Sequence, residues 1–265
     1  MALRWKTAWV TGASSGIGRA LARQLASAGV RVAASARRAA ELDALAAEAP
    51  GVTPFPLDVT DLAATKRVGA DIAARLGPID LAIFNAGVGR PMGARDFSAE
   101  RAAEMMAVNY QGLANGIEAV LPAMLARGSG QIALMSSIAG YRGLPNAAGY
   151  SPSKAAAISL AETLEPELDA AGLSISVINP GFIETPMTQN AKHPLPYILP
   201  VEDCARRIVR GLDRDKFEVA FPWQMVTLAK LARVLPYPAY FWFMGRQLQP
   251  ASQKIDESKF TKRQP

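Results

Sequence analysis

The 265-residue sequence has very few of the side chains that make disulfides or metal sites. It contains one cysteine, Cys204, and one histidine, His193. A single cysteine cannot form an intrachain disulfide, which is typical of a protein from a reducing compartment. The lone histidine has no Cys or carboxylate at ligand spacing, which argues against a zinc site and a Ser-His-Asp triad. We therefore expect no metal, an inert buried Cys204 and a loop position for His193.

Long apolar runs and targeting features are scarce as well. No segment approaches the roughly 18 apolar residues of a membrane-spanning helix, since Lys230, Arg233 and two prolines interrupt the most apolar region. The first residues, MALRWKTAWVTG, lead into a strand too soon for the regions of a secretory signal. We therefore predict a cytoplasmic protein that contacts a membrane at most peripherally.

Composition and charge indicate a folded protein with small anionic ligands. Hydrophobic residues make up 50% and charged residues 20% of the sequence, which are ordinary values for a globular chain. The net charge is +6, but the basic residues are scattered and do not form stripes with aromatics between them. This pattern argues against nucleic acid as a partner and suits an anionic small molecule.

Six short, nearly all-apolar runs alternate with segments of helical spacing. Such runs are typical of strands covered on both faces, and the alternation predicts right-handed crossovers in a parallel sheet. The runs span residues 7–12, 31–36, 52–59, 79–87, 130–137 and 173–181. We predict an α/β Rossmann fold, a doubly wound parallel sheet in one domain. Its core is expected over residues 1–190, a substrate lid and apolar segment over 191–250, and a frayed tail over 251–265.

The first run is followed directly by TGASSGIG, residues 11–18, which opens the first helix. Gly12 permits a tight turn, Gly16 lets the backbone approach a pyrophosphate, and Gly18 lets the helix pack on the strand. The spacing Gly-x-x-x-Gly-x-Gly differs from the commoner Gly-x-Gly-x-x-Gly. Its place between a strand and a helix nevertheless favours a phosphate-binding turn over a glycine-rich turn without a ligand.

The end of the second strand predicts which dinucleotide is bound. An acidic residue there binds the ribose 2′-hydroxyl of NAD, whereas an arginine accepts the 2′-phosphate of NADP. The strand ends in Ser35-Ala36-Arg37-Arg38, without a carboxylate. We predict NADP(H), held mainly by Arg37, with Ser15 as a further hydroxyl. The alternative is that Arg37 and Arg38 form a solvated charge pair on the next helix.

Tyr150 and Lys154 lie four residues apart at the start of a predicted helix, in AGYSPSKAAAISLAETL. Alone, such a pair is usually ordinary helix surface. With the other motifs beside it, the chain resembles the short-chain dehydrogenase/reductase family over residues 5 to about 190. The motifs that carry the resemblance occur in the family's order: TGASSGIG at 11, Asp58, NAG at 85–87, Asn109 in MAVNYQG, SS at 136–137, YSPSK at 150–154 and PG at 180–181.

The resemblance implies four catalytic residues. Tyr150 is the general acid/base, Lys154 lowers its pKa and binds the nicotinamide ribose, and Ser137 polarises the substrate carbonyl. Asn109 holds a water in a proton relay. Ser136 is the alternative to Ser137, but the family's spacing to Tyr150 favours Ser137. The positive charge of Lys154, one helical turn from Tyr150, is also expected to favour the phenolate together with the charge of an oxidised nicotinamide.

The resemblance further implies a set of residues around the cofactor. They belong to the glycine turn, the ends of the strands, the Tyr-Lys pair and the segment after the last predicted strand. They are Gly12, Ser14, Ser15, Gly16, Ile17, Gly18, Arg37, Asp58, Val59, Asn85, Ala86, Gly87, Tyr150, Lys154, Pro180, Gly181, Ile183 and Thr185.

The C-terminal third carries the features expected to select the substrate. By the resemblance, a lid follows PGFIETPM, here TQNAKHPLPYILP, in which Lys192 and His193 could reach a polar substrate group. Residues 221–248 are rich in aromatics and contain leucines at helical spacing. We expect this segment to pack over the cleft or at a subunit contact. The alternatives are an apolar substrate funnel and a peripheral membrane contact.

These observations predict an NADP(H)-dependent oxidoreductase that interconverts a carbonyl and an alcohol, acting on an apolar ketone or secondary alcohol. A ketoreductase for carrier-bound acyl thioesters is one alternative, and a non-catalytic dinucleotide sensor is another. The joint presence of Ser137, Tyr150 and Lys154 argues against the sensor. The resemblance implies a homodimer or homotetramer, in which the helices around 100–126 and 150–171 pair between subunits.

Overall fold

The computed structural model describes residues 3–189 and 195–247. The chain forms two units, Met1–Arg233 and Val234–Pro265. The predicted lid residues Lys192 and His193 and the predicted tail lie outside the described residues. Among the helices of the described ranges, none is both long enough and apolar enough to cross a bilayer.

The first unit is built on one parallel sheet. Its strands are β1 (Thr7–Thr11), β2 (Arg31–Ala36), β3 (Val52–Pro56), β4 (Leu81–Phe84), β5 (Gln131–Met135), β6 (Ser174–Pro180) and β7 (Glu218–Phe221). The strand order is β3-β2-β1-β4-β5-β6-β7, and every neighbouring pair is parallel. The direction of winding therefore reverses between β1 and β4, and ligands of such sheets bind beside this reversal, at the carboxyl ends of the strands.

Helices cover both faces of this sheet. The α-helices of the described residues are α1 (Gly16–Ser27), α2 (Ala39–Glu48), α3 (Leu62–Leu76), α4 (Ala99–Met106), α5 (Gly112–Arg127), α6 (Tyr150–Ala170), α7 (Val201–Asp213), α8 (Trp223–Val234) and α9 (Tyr237–Gln247). α1 packs with α7, and α3 packs with α5. α9 belongs to the second unit.

Alternate residues of β1 enter two different hydrophobic cores. Ala8 and Val10 join the core that contains side chains of α1 and α7. Trp9, between them, joins the core that contains side chains of α3, α5 and α6. Because both faces of the strand are buried, β1 does not show the alternation of apolar and solvent-exposed polar residues that a half-exposed strand has. This is the physical reason that the strands are continuous apolar runs in the sequence.

The predicted fold class is confirmed, and the structure adds one strand to the six expected. β7 has only four residues, begins with a glutamate and pairs with β6, so it carries too little pattern to be recognised. β3 and β4 end at Pro56 and Phe84, earlier than predicted. Asp58 and residues 85–87 consequently lie on the loops that leave the carboxyl edge of the sheet.

Candidate active site

The glycine turn between β1 and α1 needs its glycines for different reasons. Gly12 and Gly16 have φ values of +69° and +54°, in the left-handed region that favours glycine. A Cβ on Gly18 would lie 2.3 Å from the carbonyl oxygen of Gly12. A Cβ on Gly12 would lie 2.8 Å from the Cα of Ala86. The turn therefore lies directly against the loop after β4, with the N-terminus of α1 facing the space beyond the strand ends.

Hydrogen bonds hold the ends of β1 and β4 together beside this turn. Thr11 Oγ1 accepts from the backbone N–H groups of Asn85 at 3.0 Å and Ala86 at 3.2 Å. The side-chain amide of Asn85 donates to the carbonyl of Thr11 at 3.0 Å. The predicted cofactor residues Asn85 and Ala86 thus form part of the wall at the reversal of the sheet.

The two arginines after β2 lie in different places. Arg38 donates from Nη2 to Ser14 Oγ at 2.9 Å and to Ser15 Oγ at 3.1 Å. Arg37 instead lies near the carboxylate of Asp58. The structure therefore brings Arg38 to the glycine turn, and the binding of a 2′-phosphate that the sequence analysis expects of Arg37 stays a prediction.

Asp58 follows β3 and keeps an exposed, ionised carboxylate. The backbone N–H of Thr60 donates to it at 3.0 Å and the Thr60 hydroxyl at 2.8 Å. These bonds, the backbone one above all, hold the pKa of Asp58 below its usual value; partial burial opposes them and the charge of Arg37 adds to them. The carboxylate is a hydrogen-bond acceptor at the carboxyl edge, beside the arginines.

Ser137 and Tyr150 bring two hydroxyl groups together at the carboxyl end of β5. Their hydroxyls share a hydrogen bond. Ser137 Oγ also accepts from the backbone N–H of Ala139 at 3.2 Å and contacts the carbonyl of Pro180 at 3.4 Å. Ser136 Oγ donates to the carbonyl of Lys154 at 2.7 Å. The geometry therefore directs Ser137 toward Tyr150 and uses Ser136 to anchor α6.

Lys154 lies one turn along α6 and is only 3% exposed. Its Nζ donates to the carbonyl of Met135 at 2.9 Å and lies 5.7 Å from the centroid of the Tyr150 ring. Burial lowers the pKa of Lys154 to about 8. Gly87 lies close by, since a Cβ there would be 3.5 Å from Nζ.

Burial dominates the protonation of Tyr150 in the protein by itself. It raises the pKa of the phenol, and the hydrogen bond from Ser137 only partly offsets this effect. The lowering that the sequence analysis expects from Lys154 together with the charge of an oxidised nicotinamide stays a prediction. A phenol that keeps its proton at neutral pH is suited to donating it.

Asn109 is buried on a π-helical turn, Ala107–Gln111, between α4 and α5. Its Oδ1 accepts from the backbone N–H of Val88 at 2.7 Å, and its Nδ2 donates to the Val88 carbonyl at 2.8 Å and to Ser153 Oγ at 2.9 Å. Ser153 donates in turn to the carbonyl of Tyr150 at 2.7 Å. Asn109 thus connects the loop after β4 to the first turn of α6, and its water-holding role stays a prediction.

Two methionines lie near the residues of the site. The Met187 sulfur and the Tyr150 ring both lie close to Gly89, since a Cβ there would be 3.2 Å from the sulfur and 3.1 Å from the ring. Met225, in the first turn of α8, lies against Gly181, where a Cβ would be 3.0 Å from its sulfur. Met187 ends the PGFIETPM segment and Met225 lies in the 221–248 segment, but the sequence analysis named neither as a site residue.

The start of the segment after β6 lies across the glycine turn. A Cβ on Gly16 would be 3.3 Å from Thr185 Cγ2. Thr188 Oγ1 donates to the carbonyl of Ile183 at 2.6 Å and accepts from the N–H of Thr185 at 3.0 Å. The predicted cofactor residues Ile183 and Thr185 are therefore held on a hydrogen-bonded turn opposite Gly16.

A polar network supports the loop that carries Ser137. The Tyr141 hydroxyl donates to Glu218 Oε1. Asn179 Nδ2 donates to the Tyr141 hydroxyl oxygen at 3.2 Å and to Glu218 Oε1 at 3.2 Å. Lys230 of α8 forms an ion pair with the same carboxylate. Tyr141 follows the 3-10 turn that begins after Ser137, and Asn179 precedes Pro180. β7, the strand that sequence analysis missed, thus supplies the acceptor that ties α8 to this loop.

A family model described as short chain dehydrogenase matches residues 6–195. The chain belongs to the short-chain dehydrogenase family. An uncharacterized oxidoreductase from Myxococcus xanthus (strain DK1622) is 40% identical over 242 residues, covering 90% of this chain and 96% of that protein. The predicted family is therefore confirmed, and the chain is an oxidoreductase of this family.

Two solved structures share the fold over most of the chain. The alcohol dehydrogenase from the archaeon Thermococcus sibiricus, complexed with 5-hydroxy-NADP, has a TM-score of 0.75 and 27% identity, covering 82% of this chain and 96% of its own. A short chain dehydrogenase/reductase from Burkholderia phymatum in complex with NAD has a TM-score of 0.79 and 26% identity, covering 88% and 94%. Structural neighbours of this chain are thus recorded with both kinds of dinucleotide.

Proposed function

We propose that the protein interconverts a carbonyl and a secondary alcohol with NADP(H), on an apolar substrate. The observation that carries this proposal is the convergence of the Ser137 and Tyr150 hydroxyls, with Lys154 one helical turn away. Two hydroxyl donors and a nearby ammonium suit an oxygen that gains negative charge during reaction. They lie at the carboxyl edge of the sheet, where ligands of this fold bind.

The residues present fit a nicotinamide dinucleotide. The turn from Gly12 to Gly18 leads into the N-terminus of α1, whose cap residue Ser15 makes no side-chain hydrogen bond to the helix, and free N–H groups there favour a phosphate. Gly87 leaves room beside the Lys154 ammonium. Asp58, Arg38 and Ser14 supply the charged and hydroxyl groups that would bind the far end of the molecule.

The chain's own residues would act on the substrate oxygen. When bound, the dinucleotide supplies or accepts a hydride. In the reducing direction the Tyr150 phenol donates its proton to the carbonyl oxygen, and the Ser137 hydroxyl donates a hydrogen bond to the same oxygen. Both donors stabilise the transition state more than the neutral ketone, because the oxygen becomes negative only there. The Lys154 ammonium then stabilises the phenolate that remains.

The contacts around the site support an apolar substrate. Met187 and Met225 lie beside Tyr150 and Gly181, and methionine side chains adapt to irregular apolar shapes. A panel of ketones and acyl thioesters graded by size and polarity tests this point by NADPH consumption. Bulky apolar ketones are expected to turn over fastest. Preference for acyl thioesters would favour the carrier-bound alternative, and NADPH binding without any turnover would favour a sensor.

The choice of dinucleotide is tested in the same assay. Arg38→Ala is expected to lower kcat/KM for NADPH by about 10- to 100-fold and to leave NADH use nearly unchanged, because a hydrogen bond to a charged group contributes about 1.5–3 kcal/mol. Arg37→Ala is measured in parallel. Arg23→Ala, which removes an exposed arginine of α1 paired with Glu202, is the matched control. A wild type that prefers NADH would contradict the proposal, and a loss confined to Arg37→Ala would return the role to Arg37.

The pH dependence of reduction follows from the two buried groups. The Lys154 pKa is lowered to about 8, so its charge is present below that pH and is lost as the pH rises through it. The Tyr150 pKa is raised, so its proton is lost only at higher pH. We expect kcat/KM for NADPH to fall with a midpoint near pH 8 and to lose that midpoint in Lys154→Met. A profile flat up to pH 10 in the wild type would contradict this assignment.

A further inference from the structure

α9 presents its most apolar side chains to solvent. Tyr237, Phe241 and Trp242 are 69%, 61% and 60% exposed, whereas Tyr240 is only 4% exposed. Positions 237, 241 and 242 fall on one side of a helix, and the rings of Tyr237 and Phe241 stack with centroids 5.6 Å apart. We call Tyr237, Phe241 and Trp242 the α9 face.

Such a face is not ordinary protein surface. Single exposed apolar residues are common, but contiguous groups of large ones mark binding surfaces. Tyr and Trp are also amphipathic side chains, which favours a lipid surface as the partner. Each has an apolar ring and one polar atom, which suits the boundary between lipid headgroups and acyl chains.

The charges of the second unit are complementary to an anionic lipid surface. The guanidinium of Arg246 lies 3.7 Å from the centroid of the Trp242 ring, at the edge of the α9 face. An arginine stacked in this way keeps its N–H groups available for phosphate. Residues 234–265 contain five Lys and Arg residues against two Asp and Glu residues, and none of the acidic residues precedes Asp256.

The basic residues of α8, in contrast, already form ion pairs with carboxylates of the first unit. Its Lys230 forms an ion pair with Glu218, and its Arg233 lies 3.9 Å from the carboxylate of Glu162. These pairs stabilise the folded first unit and leave less charge for an external anion. The combination of an aromatic face with an arginine stacked on it therefore singles out α9.

We propose that the α9 face binds the surface of anionic lipid bilayers, with Tyr237, Phe241 and Trp242 at headgroup depth and Arg246 on a lipid phosphate. The helix has 11 residues, about half of what a span requires, so the contact is peripheral. Binding of this kind would bring the enzyme to the phase in which apolar ketones and alcohols dissolve. The inference itself does not depend on the proposed reaction.

The test is co-sedimentation of the full chain with vesicles of phosphatidylcholine alone or mixed with phosphatidylglycerol. The wild type is expected to bind the mixed vesicles more strongly. The triple variant Tyr237→Ser, Phe241→Ser, Trp242→Ser should have an affinity for the mixed vesicles that is lower by about tenfold or more, since it loses the apolar area that inserts into the bilayer. Phe97→Ser, which removes an aromatic that is 60% exposed in the first unit, is the matched control and should bind like the wild type.

Tryptophan quenching by brominated lipids keeps the test decisive if the triple variant folds poorly. Quenching is expected in the wild type and should fall in Trp242→Phe, which retains an aromatic ring. Absence of wild-type binding to mixed vesicles would overturn the proposal. So would equal binding of the wild type and a folded triple variant. Sedimentation velocity completes the test: wild-type oligomers that dissociate in the triple variant, without vesicle binding, would assign the α9 face to a contact between copies.

Discussion

Tyr150→Phe is expected to lower kcat for ketone reduction by about a thousandfold while NADPH binding stays largely intact. Positioned proton transfer contributes about 100- to 10,000-fold to enzymatic rates. The variant removes only the phenolic oxygen, so the ring that packs against Gly89 and Met187 remains. The loss should therefore appear in kcat and not in the affinity for NADPH. Stopped-flow reduction of a bulky ketone, together with fluorescence titration of NADPH, measures the two quantities separately.

The matched control is Tyr141→Phe. Tyr141 is also a buried tyrosine, and its hydroxyl donates to Glu218 in the network beside Ser137. Its loss is expected to lower the free energy of unfolding by about 1–3 kcal/mol, because the half-buried carboxylate of Glu218 loses a donor. Most of the turnover should remain. Near-normal kcat in Tyr150→Phe, or an equal loss in both variants, would remove Tyr150 from the role of proton donor.

Gly18→Ala is expected to weaken NADPH binding by more than about a hundredfold and to lower the free energy of unfolding by about 2–3 kcal/mol. The added Cβ would lie 2.3 Å from the Gly12 carbonyl oxygen and 2.5 Å from Asn85 Nδ2. The first of these atoms is backbone and cannot rotate away, so the turn and the N-terminus of α1 must separate. That displacement moves the N–H groups that would bind the pyrophosphate.

Gly245→Ala provides the comparison for this substitution. It adds the same methyl group to α9 at a position where nothing lies within 4 Å of the new Cβ. Its stability should be unchanged or slightly raised, since alanine favours helix over glycine. Isothermal titration with NADPH and urea unfolding of both variants make the measurement. Wild-type affinity in Gly18→Ala would show that the close approach at the turn is dispensable for binding.

Several features of the site could be predicted from sequence because they depend on local pattern. β1 has three consecutive apolar residues, Ala8, Trp9 and Val10, which marks a strand covered on both faces. The glycines of the turn are required by backbone geometry that involves only neighbouring segments. The spacing of Tyr150 and Lys154 fixes their relation on one helix. The Ser137 hydroxyl, by contrast, could be assigned over Ser136 only by resemblance until its hydrogen bond to Tyr150 was located.

Other features depended on contacts between residues far apart in the chain. Arg37 and Arg38 are adjacent in sequence, and only folding directs Arg38 to the serines of the glycine turn. The raised pKa of Tyr150 in the protein by itself also depends on folding, because desolvation is set by everything packed around the phenol. Ser153 and Asn109 form a bridge across 44 residues of sequence. No periodicity or motif encodes such pairings.

The sequence by itself determined the α/β class, the winding of the sheet, the family and the location of the glycine turn, because each depends on repeating hydrophobicity or on residues close together. Tertiary structure alone decided that Arg38 reaches the turn, that Met187 and the Tyr150 ring meet at Gly89, and that β7 brings Glu218 to Tyr141. It also decided that the aromatics of α9 face solvent. Burial and electrostatic environment are properties of the assembled chain, so these outcomes could not be obtained from the order of its residues.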